Sequence, residues 1–333
     1  MAVIPYSRAT TPLQLRPLNI IRDLPAVANL VENCFSSTLD DDGRRYLQQM
    51  RHAGQDNAFL RWASQVVETA SMPLSGFVWE DNGEIIGNAS VIPYRHDHQR
   101  FYLIANVAVH PNQRRRGIGR ALTIACMDLA QRKQAKEIWL QVRDDNPGAI
   151  ALYETLGFRE RARRTSWRLS LERVTSPVQP SVPITRRRKS DWLQQEKFLQ
   201  RIYPDQLSWY QPMPWHSFRP GLMYTLERFF LADETSHWVI RSDNNLTAAL
   251  TWTPSTSSSP DRLWAAVPPD GSEESLLALL LRARKDLATL QSRLLLDFPA
   301  GEYNSAIQQA GFNLHRTLVW MQLDETYLPE KRI

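Results

Sequence analysis

The stretch VAVHPNQRRRGIGRAL, residues 107–122, joins an apolar run to the start of a helical pattern through three arginines and two glycines. The residues that lead into it, RFYLIANVAV, are almost continuously apolar, which predicts a central strand buried on both faces. A strand that runs through a glycine turn into a helix points several backbone N–H groups at one place, where the helix dipole also favours negative charge. The stretch therefore predicts a cradle for a phosphate or pyrophosphate group.

The glycines and arginines of this stretch each suit such a cradle. Gly117 and Gly119 carry no side chain, so an anion can approach the backbone closely, and the arginines at 114–116 add positive charge. The Walker pattern does not fit, because Gly119 is followed by Arg120 instead of lysine. The dinucleotide fingerprint does not fit either, because Leu122 stands where its third glycine or alanine belongs. The alternative is a glycine-relaxed turn with solvated arginines, which an isolated Gly-x-Gly would favour.

The sequence around the cradle predicts alternating strands and helices. Two β-prone runs flank Asn82-Gly83, which predicts a hairpin. The stretch NPGAIALYETLG predicts a helix with Asn146 as its N-cap, Pro147 at its first position and Gly157 at its C-terminal end. The other predicted elements of this half are strands at residues 13–18, 100–109, 137–142 and 164–171, and helices at 24–35, 118–134 and 41–70, the last broken near Gly54.

Length and composition bound what the chain can be. With 333 residues, 43 % of them hydrophobic, it is long enough for two domains with cores of their own. No run approaches eighteen apolar residues and the first residues show no signal pattern, so we expect no membrane partner. The two cysteines form no disulfide framework or metal pattern, so we expect no metal and a cytoplasmic location. The formal net charge of +5 suits anionic ligands, from nucleotides to nucleic acid.

The chain has one clear seam between two related halves. Residues 174–190 carry three prolines and small polar residues before a basic run, which predicts an extended linker. Residues 265–280, AAVPPDGSEESLLALL, then repeat the frame of residues 107–122 without its arginines and its glycine pair. We therefore interpret the chain as a duplicated domain. Apolar stripes with the same helical spacing are Ile118, Leu122, Ala125 and Leu129 in the first half and Leu276, Leu280, Ala283 and Leu287 in the second.

These motifs are similar to those of the GNAT superfamily of N-acetyltransferases, whose signature is V-x-P-x-x-R/Q-x-x-G-x-G/A and then N-x-x-A-x-x-L-Y-x-x-x-G-F. The resemblance implies an α/β fold of two tandem GNAT-like domains, each a mixed, mostly antiparallel central sheet flanked by helices. It implies a catalytic domain at residues 1–173, a linker at 174–190, and a degenerate GNAT-like domain without a CoA cradle at 191–333. The matching residues are Val109, Pro111, Arg114, Gly117 and Gly119, then Asn146, Ala149, Leu152, Tyr153, Gly157 and Phe158.

The resemblance also implies an acyl-CoA site in the first half. The strand before the cradle would part from its neighbour, and the pantetheine amides would pair with the exposed strand edge. The pyrophosphate would lie on backbone N–H groups of residues 114–120, and Asn146 would hydrogen-bond the cofactor arm. The cofactor-binding residues implied in this way are Val107, Ala108, Val109, Arg114, Arg115, Arg116, Gly117, Ile118, Gly119, Arg120 and Asn146.

By the same resemblance, Tyr153 is the catalytic general acid that protonates the departing CoA thiolate. A tyrosine hydroxyl with an ordinary pKa of about 10 stays protonated at neutral pH, as this role requires. The alternative is that Tyr153 is a half-buried aromatic residue that pins its helix.

The general base stays unassigned. Many family members carry a glutamate near the start of the central strand, but YLIANVAV contains no carboxylate. Asn106 cannot usefully accept a proton, and Glu80, Asp81 and Glu84 belong to the predicted hairpin tip, where solvated side chains are the simpler interpretation. His110 follows the strand and could titrate near neutral pH, but we expect it on the phosphate side. The amine would then lose its proton through ordered water or bind already neutral.

We predict an N-acetyltransferase that moves an acetyl or other acyl group from acetyl-CoA to an amine, carried by a small molecule or a peptide. A CoA-binding sensor without catalysis stays open, although Tyr153 favours the enzyme. A nucleic-acid adaptor also stays open, but one basic run at residues 186–189 is weak support, so nucleic acid is not the expected partner. We expect a monomer whose halves dock as an internal pseudo-dimer.

Overall fold

The computed structural model describes residues 14–36, 39, 41–53, 73–169, 182–221, 235–255, 260–288 and 293–327. Contacts between residues divide the chain into two compact units. Unit 1 consists of Met1–Val142, Asn146–Arg161 and Trp320–Ile333, and unit 2 of Arg143–Asp145 and Ala162–Val319. Within the described ranges, no helix combines the length and the apolar composition needed to span a membrane.

Unit 1 alternates strands and helices along the chain. Its elements are strand β1 (Leu15–Pro17), helices α1 (Ile20–Phe35) and α2 (Asp41–Ala53), strands β2 (Ser75–Asp81), β3 (Glu84–His96) and β4 (Gln99–Val109), helix α3 (Ile118–Arg132), strand β5 (Glu137–Arg143), helix α4 (Pro147–Thr155) and the first residues of strand β6 (Phe158–Leu169). A short 3-10 helix, Pro111–Gln113, precedes the glycine turn.

The strands of unit 1 lie in the order β1-β2-β3-β4-β5. Neighbouring strands are antiparallel, except that β4 and β5 are parallel. The β2–β3 hairpin turns at Asn82 and Gly83, which have φ angles of 50° and 84°, so the predicted hairpin is confirmed. The predicted central strand is confirmed too, because β4 lies between two strands and its residues 101–104 are buried.

Helices cover both faces of this sheet. A Cβ atom at Gly87 would lie 2.9 Å from Ile118 and 3.0 Å from Leu122, so α3 packs closely on the face to which Gly87 belongs. Apolar residues of α1 form a buried cluster with Val78 and Ala108 on the other face. Because strand residues alternate between faces, neighbours along β3 point either toward α3 or toward α1 and α2.

Unit 2 repeats the same order of elements. They are strand β7 (Ile184–Thr185), helices α5 (Trp192–Ile202) and α6 (Trp215–Phe218), strands β8 (Ser236–Ser242), β9 (Asn245–Thr253) and β10 (Asp261–Ala266), helix α7 (Glu273–Asp286), strand β11 (Leu294–Pro299), helix α8 (Asn304–Gln309) and strand β12 (Phe312–Leu323), whose last residues belong to unit 1.

The sheet of unit 2 also has one parallel pair among antiparallel neighbours. Its strands lie in the order β6-β11-β10-β9-β8-β7, and the parallel pair is β10 and β11. Leu276, Leu280, Ala283 and Leu287 are all buried, as their helical spacing predicts. The predicted fold class is confirmed, since both units combine a mixed, mostly antiparallel sheet with flanking helices.

The stripe predicted for α3 is half right. Ile118 and Leu122 are buried, but Ala125 and Leu129 are half-buried. In the second half of α3 the buried residues are instead Cys126, Met127 and Ala130. The Cys126 thiol is fully buried and lies 3.7 Å from the carbonyl oxygen of Ala89, so Cys126 is a small apolar core residue, as predicted.

Several boundaries differ from the prediction. Strand β6 begins at Phe158, six residues earlier than predicted, because Gly157 with φ 91° ends the turn after α4 and the chain extends at once. Within the predicted linker, Ile184–Thr185 pair with β8. The predicted helical segment beyond Ala53 falls outside the described residues. Strands β6 and β12 each contribute to both units, and the domain limits 1–173 and 191–333 stay a prediction.

Candidate active site

The parallel pair β4 and β5 parts before either strand ends. Their paired residues run from Phe101 and Glu137 to Ile104 and Leu140, whereas β4 continues to Val109. Residues 105–109 therefore extend beyond this ladder, on the side of β4 that faces β5. Val107, Ala108 and Val109, whose backbone the sequence predicts to bind pantetheine, lie on this free end of the strand.

A bulge accompanies the parting of the strands. The register between β3 and β4 shifts between Asn88 and Ser90, which pair with Ala108 and Ala105. Two residues of β4, Asn106 and Val107, therefore stand opposite Ala89 alone, and the φ of 52° at Asn106 lies in the left-handed region. The strand consequently changes direction immediately before Val107.

The glycine turn lies at the N-terminus of α3. Gly117 has a φ of 80° and is the N-cap, so a residue with a Cβ atom would be strained there. A Cβ atom at Gly119 would lie 3.7 Å from both Val109 and Leu152, which is ordinary contact, so Gly119 keeps the surface clear without being required by the backbone. No side chain caps this helix N-terminus, which leaves the N–H groups of its first turn oriented toward a ligand.

Four arginines surround the turn, and three of them make hydrogen bonds to nearby groups. Arg114 donates from Nε to the carbonyl oxygen of Val109 at 3.2 Å, and Arg120 donates from Nη1 to Oγ1 of Thr155 at 3.0 Å. Arg116 donates to the side chain of Gln113, and Arg115 has a left-handed φ of 65°. Arg114, Arg115, Arg116 and Arg120 are all exposed. They give the surface around the backbone N–H groups of the turn a positive charge.

Helix α4 supplies the second predicted motif. Asn146 is its N-cap, and the Oδ1 atom of Asn146 accepts a hydrogen bond from the backbone N–H of Ala149 at 3.1 Å. Pro147 occupies the first helical position, so the predicted cap is confirmed. Because Oδ1 serves the helix, the amide N–H groups of Asn146 are the donors it can offer to a ligand.

Tyr153 lies on α4 and is 5 % exposed. Its ring packs edge-on against Phe158, with 6.1 Å between the ring centroids. Burial raises the pKa of the Tyr153 hydroxyl above its ordinary value, and the nearby Cys126 adds to the shift. Tyr153 is therefore protonated at neutral pH, which suits a proton donor.

The carboxylates of the hairpin tip differ in their contacts. Glu80 accepts from Arg22 at 2.6 Å and from Arg16 at 2.5 Å, and its hydrogen bond with Arg16 is the largest cause that lowers the pKa of Glu80. Glu84 is exposed. His110 accepts at Nδ1 from the backbone N–H of Asn112 at 3.3 Å and lines a surface groove with Arg22 and Glu84. These contacts leave the general base unassigned.

Residues 26–158 match the model of the acetyltransferase (GNAT) family. The likeness to the GNAT family therefore concerns this segment of the chain. The matched segment contains the parted strands, the glycine turn and helix α4, so the family match and the geometry concern the same part of unit 1. Among the described residues, no group of three or more His, Cys, Asp or Glu side chains is placed to hold a metal ion.

Known proteins match this chain over part of its length. The [ribosomal protein bS18]-alanine N-acetyltransferase of Escherichia coli (strain K12) is 36 % identical over 80 residues, 24 % of this chain and 54 % of that protein. This chain thus spans about half the length of that relative. The mycothiol acetyltransferase of Renibacterium salmoninarum is 39 % identical over 61 residues, 18 % of each chain.

The fold likeness extends over both halves. A crystal structure of a GCN5-related N-acetyltransferase from Sphaerobacter thermophilus aligns with 94 % of this chain and 96 % of that one. The TM-score is 0.56 and the sequence identity is 18 %, so the comparison concerns the fold.

Unit 2 contains the same strand geometry as the GNAT motif, but its own side chains contact the strand edge. The ladder between β10 and β11 ends at Leu263 and Leu296, and β10 continues to Ala266. The backbone N–H of Ala265 donates to the hydroxyl oxygen of Tyr203 at 3.1 Å. The carbonyl oxygen of Val267 accepts from Nη2 of Arg201 at 3.2 Å.

The turn that follows β10 is also occupied. The Tyr303 hydroxyl donates to the carbonyl oxygen of Pro268 at 2.7 Å, and a Cβ atom at Gly271 would lie 2.4 Å from that hydroxyl. Glu273, in the first turn of α7, accepts from the backbone N–H of Ala306 at 2.7 Å. A carboxylate and a tyrosine therefore stand where unit 1 has an open glycine turn.

The contacts of Tyr203, Arg201 and Tyr303 in unit 2 have no signal in the sequence, because each residue reaches its strand edge from a distant element. Asn88 and Ser90 on β3 do have a signal, since GNAS interrupts a largely apolar strand, and both residues are buried.

Proposed function

We propose that the protein is an N-acetyltransferase that binds one acetyl-CoA in unit 1 and transfers the acetyl group to an amine. The observation that carries the proposal is the free end of β4 beside an open, uncapped helix N-terminus ringed by four arginines. An extended ligand that carries amides and then a pyrophosphate fits such a surface, because strand edges bind amides and helix N-termini bind anions.

In this proposal the strand edge and the turn bind different parts of acetyl-CoA. Val107, Ala108 and Val109 pair with the pantetheine amides through their backbone, and Asn146 donates to the same arm from the N-terminus of α4. Backbone N–H groups of the turn bind the pyrophosphate. The residues assigned to it are Arg114, Arg115, Arg116, Gly117, Ile118, Gly119 and Arg120.

Tyr153 is proposed as the general acid. The amine nitrogen attacks the thioester carbonyl carbon, the carbon–sulfur bond breaks, and the sulfur leaves with the bonding electron pair. The Tyr153 hydroxyl gives its proton to that sulfur, and the nitrogen loses its surplus proton to water, from which the Tyr153 phenolate takes a proton back. With a pKa at or above its ordinary value, Tyr153 starts each turnover protonated at neutral pH.

The second unit is proposed as a copy that does not bind CoA. The Tyr203 hydroxyl occupies the backbone N–H of Ala265, which corresponds to Val107 on the free strand end of unit 1, and Arg201 and Tyr303 contact the carbonyl oxygens that follow. We propose that unit 2 shapes acceptor choice in a monomeric, cytoplasmic protein. Expression of residues 1–173 alone tests this part: a soluble, monomeric fragment with unchanged acceptor preference would contradict it.

The acceptor is proposed as an amine of a small molecule or peptide. The two relatives are named as an N-acetyltransferase of a ribosomal-protein alanine and as a mycothiol acetyltransferase. These names support an amine acceptor but do not identify it. Incubation with acetyl-CoA and pools of amines and peptides, followed by mass spectrometry, tests the activity. A mass increase of one acetyl group on an amine supports the enzyme. Binding of acetyl-CoA without any acetylated product would support a sensor instead.

A further inference from the structure

We propose that Asn88 and Tyr46 are positioning residues, which hold Asn106 in the left-handed conformation that turns the end of β4 away from β5. This inference rests on the proposed function, because the strand end concerned is the edge that would bind acetyl-CoA. It assigns a task to three polar residues that have no part in the chemistry described above.

Asn106 has an unusual conformation for a strand residue. Its φ of 52° lies where residues other than glycine are uncommon, although asparagine tolerates it better than most. It comes two residues after Ile104, the last residue of β4 that pairs with β5. Such a conformation persists in a strand only when surrounding contacts stabilise it.

Two hydrogen bonds fix Asn106, one from each side. The Nδ2 atom of Asn88, on the neighbouring strand, donates to the backbone carbonyl oxygen of Asn106 at 3.0 Å. The Nδ2 atom of Asn106 donates to the hydroxyl oxygen of Tyr46, on helix α2, at 3.3 Å. The main chain and the side chain of Asn106 are thus held by different elements.

The burial of Asn88 supports a structural role for its hydrogen bond to Asn106. Asn88 is completely buried, and among the described residues its Oδ1 atom has no hydrogen-bond partner. A buried amide with an unpaired oxygen costs stability that an apolar side chain of similar size would not. We infer that Asn88 is retained at this buried position because its amide N–H binds the carbonyl oxygen of Asn106.

Tyr46 contributes a neutral hydroxyl. Burial raises the pKa of Tyr46, so its hydroxyl is protonated at neutral pH and offers its oxygen to Asn106. Asn88 pairs with Ala108, which packs in the α1 cluster, so Asn88 and Tyr46 lie on the same face of the sheet. Tyr153 belongs to α4 and lies near Cys126 of α3, on the opposite face.

The consequence concerns the strand end that follows. Asn106 precedes Val107, so its backbone conformation sets the direction in which residues 107–109 leave the sheet. Without its two contacts, Asn106 would sample ordinary strand conformations, and the free end of β4 would move back toward β5. Acetyl-CoA would then bind only after that end had reopened.

The experiment compares two asparagines that share a left-handed φ. Asn106→Ala is matched with Asn82→Ala at the hairpin turn, where φ is 50°. We expect both to lower the melting temperature. Asn106→Ala should also raise the acetyl-CoA Kd by about tenfold, the effect of releasing one strained residue, whereas Asn82→Ala should leave the Kd unchanged.

A double-mutant cycle tests Tyr46. Tyr46→Phe should raise the acetyl-CoA Kd by about three- to tenfold, the range for one hydrogen bond. In an Asn106→Gly background the same substitution should change nothing further, because its partner is gone. Asn106→Gly should bind better than Asn106→Ala, since glycine adopts the left-handed conformation freely.

Hydrogen exchange supplies a readout that needs no ligand. The amides of residues 105–109 should exchange faster in Tyr46→Phe and in an Asn88→Leu variant, and at the wild-type rate in Asn82→Ala. Unchanged exchange and unchanged Kd in Tyr46→Phe would overturn the inference. Wild-type protein that fails to bind acetyl-CoA would contradict the proposed function, and the exchange rates would still decide the inference.

Discussion

The hydroxyl oxygen of Tyr203 accepts a hydrogen bond from the backbone N–H of Ala265 at 3.1 Å. In the repeated frame Ala265 stands where Val107 stands in unit 1, so a side chain here takes the place that we propose for the cofactor. Tyr203→Phe should lower the free energy of unfolding by about 1–2 kcal/mol, because it leaves a buried N–H unpaired. Denaturant unfolding measures this. Acetyl-CoA affinity should not change, and a second binding site appearing in this variant would contradict the account of unit 2.

Gly119→Trp should abolish acetyl-CoA binding while leaving the protein folded. A Cβ atom at Gly119 would make only ordinary contacts, 3.7 Å from Val109 and Leu152, so we expect a large side chain to extend over the turn and not into the core. Calorimetry checks binding, and circular dichroism checks the fold.

Gly119→Ala is the matched control, because its Cβ atom makes only ordinary contacts. It should keep the wild-type melting temperature and part of the affinity. Wild-type affinity in Gly119→Trp would remove the turn from the site.

Tyr153→Phe should lower kcat by about 10²–10⁴-fold, the usual contribution of a general acid. The acetyl-CoA Kd should change little, because the hydroxyl acts on the thiolate that forms in the transition state. Stopped assays on the acceptor found by mass spectrometry measure kcat, and calorimetry measures Kd. Full activity in this variant would make Tyr153 a packing residue.

Asp23 should make unfolding depend on pH in acid. Its side chain is 1 % exposed and pairs with Arg16 at 2.6 Å, and hydrogen bonds from Arg16, the Asn19 backbone and Arg22 lower its pKa despite its burial. The stabilisation is therefore present above the ordinary value of 3.8 and is lost as the pH falls through the lower, folded pKa.

Asp23→Asn should lower the free energy of unfolding at pH 7 by about 1.5–3 kcal/mol, the range for hydrogen bonds to a charged group. The difference from wild type should shrink below pH 3.8, where the carboxylate becomes protonated in the unfolded chain. Glu84→Gln, at an exposed position, is the control and should leave stability unchanged. Urea titrations between pH 2 and pH 7 measure the free energy of unfolding of each variant. A difference between Asp23→Asn and wild type that stays constant with pH would show that the charge of Asp23 does not contribute to stability.

The order of elements could be predicted because local patterns decide it. Asn82-Gly83 favours a hairpin turn, and Asn146 and Pro147 favour a helix start, through contacts within a few residues. The prediction of the buried face of α3 was wrong for the second half of the helix. Packing against β3 decides which side of this 15-residue helix is buried, and Cys126 is apolar enough to lie on that side.

Contacts between distant residues could not be predicted from one sequence. The left-handed Asn106 looks like any polar residue in an apolar strand, and its partners Tyr46 and Asn88 are 60 and 18 residues away. Likewise, the sequence shows that the second half lacks the arginines and the glycine pair. It does not show that Tyr203 and Tyr303 contact the equivalent backbone groups there.

The stoichiometry of acetyl-CoA binding tests the central claim most directly. Calorimetric titration of the full chain should give one site per chain, and Gly119→Trp should remove that site completely. Two equivalent sites per chain, or one site that survives in Gly119→Trp, would contradict the account.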